Sequence, residues 1–163
     1  MELIGAVMLC CAFFFLGTIA SISEKQSCDR LQSLHHLVSS LRSMISSTRK
    51  PLGSFFAEYS DKILLESGFL AVMNNPNTTK SYTERWEIAV KQLMLEKEAE
   101  KVAITIGREL GKLDLKTQTE QLVFLEKSLE DLLKEQRRTL EGKQKIYKSV
   151  SLLAGVIITI LLI

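Results

Sequence analysis

The chain has 163 residues, 46% of them hydrophobic and 25% charged, with a formal net charge of +2. Those averages fit one ordinary soluble domain, yet every charged side chain except Glu2 lies between residues 23 and 148. That division argues against a freely soluble single domain, and two prolines and eight glycines argue against collagen-like, linker-rich and turn-rich all-β chains.

The first element is the uncharged run Leu3 to Ile22. As a helix rising about 1.5 Å per residue it covers roughly 30 Å, the thickness of a bilayer's hydrocarbon core. A cleaved signal peptide is the competing reading, with Thr18-Ile19-Ala20 as its cleavage site, but a signal needs a basic start and the chain offers only Glu2. Cys10 and Cys11 lie within the run and Cys28 just beyond it, which makes no disulfide framework.

Leu31, Leu34, Val38, Leu41 and Ile45 follow at spacings of three and four, the apolar stripe of a helix continuing out of the first run. Pro51 ends it, because the residue before a proline is pushed out of the helical region. A second helix then carries Leu52, Phe55, Phe56, Tyr59, Ile63 and Leu64 and stops at Gly68, and residues 73–80 read as a loop. Ser81 with Glu84 three residues later is a capping box opening a third helix. That helix carries Tyr82, Trp86, Ala89 and Leu93, is interrupted over residues 96–98, and resumes with Ala99, Val102, Ile106 and Leu110.

Gly111 reads as the glycine that closes this helix and Asp114 as the N-cap of the next. From there Leu115, Gln118, Leu122, Leu125, Leu129 and Leu132 keep a heptad-like spacing that weakens at Gln136, Thr139 and Lys143 and returns at Ile146, Val150 and Leu153. The register runs into a second apolar segment, so one helix is expected from Leu115 to Ile163. The fourteen-residue, largely apolar run from Val150 reaches only about 21 Å, with Tyr147 and Lys148 as anchors at the membrane interface.

Six basic residues (Lys134, Arg137, Arg138, Lys143, Lys145, Lys148) against Glu135 and Glu141 precede this segment, and Lys25, Arg30 and Arg42 follow the first. The positive-inside rule therefore sets the body on the cytoplasmic side and both termini on the far side, with the basic cluster against membrane lipid. The expected organisation is an all-α chain: an N-terminal transmembrane helix over residues 1–22, a cytoplasmic helical domain over 23–148 and a C-terminal transmembrane helix over 149–163.

Catalytic signals are few. There is no phosphate loop, since Gly107 and Gly111 lack the following glycine-lysine-serine. His35 and His36 are adjacent, about 100° apart on a helix, and cannot share a metal. Carboxylates alternate with lysine and arginine as on a solvated helix surface. No enzyme activity, cofactor, metal or small-molecule substrate is expected, and the body lacks the basic–aromatic interleaving of nucleic-acid binders.

The chain resembles the stage III sporulation protein AB family of spore-forming bacteria. The resemblance rests on the opening Leu3-Ile4-Gly5-Ala6-Val7, on Pro51-Leu52, and on Trp86 in a mid-chain helix. It rests further on Leu110-Gly111-x-x-Asp114-x-x-x-Gln118 and on Gln144-Lys145-x-Tyr147-Lys148 ahead of leucine-rich sequence with Gly155. Lys50 departs from the family's threonine and Leu113 from its small hydroxyl residue. The resemblance implies a subunit of the channel complex between mother cell and forespore, in the mother-cell membrane surrounding the forespore, needed after engulfment. It implies a body similar to the platform domain of type II secretion systems, with a secretion-type ATPase and other membrane subunits as partners. Gly111, Asp114 and Gln118 are then the candidate structural or partner-facing turn. A membrane-anchored coiled-coil tether, recruiting a helical partner through residues 115–133, is the alternative.

Overall fold

The computed structural model describes the backbone of residues 2–47, 51–76, 79–110 and 115–162, and side chains within 23–47, 51–76, 79–110 and 119–143 with those of Ile146 and Val150. Every element among the described residues is helical: α1 (Glu2–Ser47), α2 (Leu52–Glu58), α3 (Lys62–Glu66), α4 (Phe69–Met73), α5 (Tyr82–Gln92), α6 (Lys97–Glu109) and α7 (Leu115–Leu162). They fall into two compact units, Ser27–Lys134 and Met1–Gln26 with Glu135–Ile163. Among the described residues no helix is long and apolar enough to cross a membrane. The side chains of residues 1–22 and 151–163, on which the membrane expectation rests, lie outside them.

In the unit Ser27–Lys134, the five stripe residues of α1 are all buried, Leu34 at 0% exposure. Cys28, Ser33, Leu37 and Met44 are buried with them, so the covered face is wider than one stripe. Helix α7 lies against it in the opposite direction. Arg42 pairs with Glu126, and His35, one helical stretch earlier, acts electrostatically on Glu130, further along α7. A hydrogen bond from Lys134 holds the Glu130 carboxyl below its usual range, with the charge of Lys134 and then of His35 adding to it. Leu122, Leu129 and Leu133 are buried positions of α7 among the described residues of this unit, whereas Leu125 and Leu132 are only half-buried.

The second predicted helix is three short ones. Tyr59 adopts extended backbone after α2, and the Asp61 carboxylate accepts the Leu64 N–H at 2.9 Å, starting α3 as a new N-cap. Gly68 then takes φ 82°, a left-handed conformation that ends α3 and starts α4. Pro51 precedes the first turn of α2 as its cap and is not within it.

The third predicted helix is likewise two, α5 and α6. The capping box at its start is present in both directions: the Ser81 hydroxyl accepts from the Glu84 N–H, and the Glu84 carboxylate accepts from the Ser81 N–H. The break after Gln92 follows from helical periodicity. Six residues separate Leu93 from Ala99, a separation of about 120° around one continuous helix and off the three-and-four spacing of a narrow stripe. The chain re-phases through Met94, whose φ of 48° lets Leu93 and Leu95 both face inward.

Candidate functional site

The body is organised on Trp86 of α5, 1% exposed. Its indole N–H donates to the Ala103 carbonyl at 2.7 Å, tying α5 to α6. Phe69 of α4 and Phe56 of α2 meet its ring edge to face, with centroids 5.3 and 6.3 Å away. Edge-to-face pairs of this kind add about 0.5–1.5 kcal/mol each beyond burial. Gly107 of α6 provides the room: a Cβ there would overlap Cδ1 of the indole and lie 2.6 Å from Cγ. Around this centre Asn74 donates to the Phe56 carbonyl at 2.9 Å, and Arg85 donates to the Met73 carbonyl while covering the Tyr82 ring at 4.1 Å. Arg30 of α1 donates to the Leu93 carbonyl at 3.2 Å, holding the end of α5. All of these groups serve packing, which makes the tryptophan a core residue as its stripe suggests.

The turn singled out from sequence gives less. Gly111 and Asp114 lie outside the described residues, and Gln118 lies in α7 with its side chain outside them. The same holds for the side chains of Tyr147 and Lys148, whose backbone belongs to α7. What is described is the approach to the turn. Leu110 is buried and closes α6 in extended backbone, its N–H donating to the Ile106 carbonyl.

The exposed apolar side chains that sequence reading missed include Phe124 at 71%, Val123 at 46% and Met94 at 75%, with Leu65 of α3 also exposed. Phe124 and Val123 fall off the leucine register of α7, and that mismatch was the available signal. Glu120 and Lys127 flank Phe124 on the same helical face, and both are exposed. Met94 has no such signal, because its exposure follows from the re-phasing between α5 and α6. A non-glycine residue in left-handed backbone costs about 1–2 kcal/mol. Met94→Gly is therefore expected to stabilise the fold by about 0.5–1 kcal/mol, less than the whole relief because glycine also loses entropy on folding. Denaturant unfolding of the two proteins checks it, with an unchanged or lower midpoint as the contrary result.

The titratable groups show no catalytic arrangement among the described residues. Glu87 and Lys91 shift each other, the carboxyl down and the ammonium up, through a solvent-exposed hydrogen bond of 2.8 Å. Burial pushes the Tyr59 phenol up, with the charge of Asp61 adding to it. His35 and His36 stand 5.9 Å apart, edge to face. No group of three metal-ligating side chains occurs among the described residues.

The family model of stage III sporulation protein AB matches residues 2–163. Comparison with curated proteins and with solved structures gives no match.

Proposed function

This chain belongs to the stage III sporulation protein AB family, and from that premise we propose that it is a non-enzymatic membrane platform subunit of the mother cell–forespore channel. Two long helices, α1 and α7, would leave the membrane together and hold the compact helical body on the cytoplasmic side. The body would offer a docking surface to a secretion-type ATPase and to other membrane subunits of the assembly. The observation that carries this reading is the ion pair of Lys143 with Glu24. It joins the two long helices two residues after the first uncharged run and six residues before the second. The charge asymmetry of the sequence supports the sidedness.

The tether reading has less support. It asks the leucines of α7 to wait for an external helix, whereas Leu122, Leu129 and Leu133 are buried in the body itself. Phe124 and Val123 remain available on the opposite side of that helix.

Deleting the chromosomal gene is expected to block development after engulfment and to leave vegetative growth unchanged. Phe124→Glu is expected to reproduce the block while the protein accumulates and stays helical, since the substitution lies on an exposed helical face. Normal spores from the deletion would remove the sporulation role. Normal spores from the variant would remove this face from the docking surface.

A further inference from the structure

We infer that the unit of residues 1–26 with 135–163 carries a binding surface for anionic phospholipid head groups, built from Lys25, Arg137 and Arg138 and levelled by the ion pair of Lys143 with Glu24. The inference rests on the membrane reading proposed above and specifies the lipid that the unit recognises.

The geometry begins with Glu24, two residues after the uncharged run that ends at Ile22, or about 3 Å along a helix. Its bond to Lys143 sets α7 at the same level. The unit groups Met1–Gln26 with Glu135–Ile163 around this contact, and only an antiparallel register accommodates both stretches. In a parallel pair, residues 144–163 would lie beside 25–44, most of which belongs to the other unit. About nineteen residues on from Lys143 bring α7 to Leu162, and the same number back from Glu24 bring α1 to Gly5, about 28 Å in each case. The two helices therefore run equally far beyond their shared level, although the first turns of α7 beyond that level still carry Lys145 and Lys148.

The charges gather at that level. Arg138 and Arg137 stand five and six residues before Lys143, about 8–9 Å away along α7, and Lys25 follows Glu24 directly. Lys25, Arg137 and Arg138 are exposed. All lie within about one Debye length of the ion pair, ~10 Å at 0.1 M salt. Lys145 and Lys148 continue the basic series in the sequence, against Glu24, Glu135 and Glu141, and Glu24 is already engaged by Lys143. The zone is positive on balance. Guanidinium groups bind the two free oxygens of a phosphodiester in a fork, and the preference for an anionic lipid comes from its net charge, which choline cancels in a zwitterionic one. Each excess positive charge near an anionic surface is worth about fivefold in binding.

The test uses the full chain in mixed micelles holding equal phosphatidylglycerol and phosphatidylcholine, with retained lipid counted by native mass spectrometry. Phosphatidylglycerol is expected in excess by about fivefold or more. Arg137→Gln with Arg138→Gln should bring the two lipids close to parity, and Glu141→Gln, which removes an opposing charge, should raise the excess. Equal retention by the unaltered chain, or an undiminished excess in the double variant, overturns the lipid surface. Reconstitution into vesicles of each lipid, followed by an alkaline carbonate wash, separates the two levels. Release from both kinds of vesicle overturns the membrane reading beneath, whereas retention in both without lipid preference overturns the head-group surface alone.

Discussion

Gly107→Ala is expected to destabilise the body by about 3 kcal/mol, lowering its melting temperature by about 10 °C, because the added methyl has nowhere to go. The Cβ would overlap the indole of Trp86. The ring cannot retreat: Phe56 and Phe69 bear on it, and its N–H is held by the Ala103 carbonyl on the same helix as the glycine. Alanine's better helix propensity, about 1 kcal/mol, offsets only part of that overlap. Gly142 supplies the control. It lies in the interior of α7, exposed and with no atom within 4 Å of a built Cβ. Gly142→Ala is therefore expected to stabilise α7 by about 1 kcal/mol. Thermal unfolding followed by circular dichroism reads both. Equal effects of the two substitutions would contradict the packing account.

Trp86→Ala is expected to cost about 3–5 kcal/mol, the usual range for emptying an aromatic site. At the low end of ordinary domain stability that is enough to unfold the body. Trp86→Phe separates the ring from its hydrogen bond. It keeps an aromatic face for Phe56 and Phe69, loses the bond to Ala103, and should cost only about 1–2 kcal/mol. Chemical denaturation of the three proteins would check the order. A phenylalanine variant as unstable as the alanine variant would make the hydrogen bond, and not the packed ring, the larger contribution.

The long helices were legible because their periodicity is long. All five stripe residues of α1 are buried, and α7 runs from Leu115 to Leu162, with Ile163 outside the described residues. The capping box at Ser81 was legible because two side chains at fixed spacing satisfy two backbone donors. The short helices were not, since their ends depend on single residues that resemble helix interior. Asp61 caps α3 from the middle of an apolar pattern that a longer helix would also satisfy. Met94 turns the chain with no glycine to announce it. The candidate turn at Gly111 and Asp114 lies outside the described residues, so the face proposed for docking rests on Phe124 and Val123 instead. Exposed apolar side chains are hard to find from sequence, because a hydrophobic residue beside a leucine stripe looks like core until the helix is seen packed.

The central claim is that the two long helices return the chain to one membrane, with the body on the cytoplasmic side. A pair of fusions tests it most directly. Alkaline phosphatase, active only after export, would be joined after Lys148 in one strain and after Ile163 in another. The account predicts an inactive reporter after Lys148 and an active one after Ile163, so that the last fifteen residues alone carry it across. Activity at neither position would contradict the second membrane leg, and activity at both would contradict the cytoplasmic body.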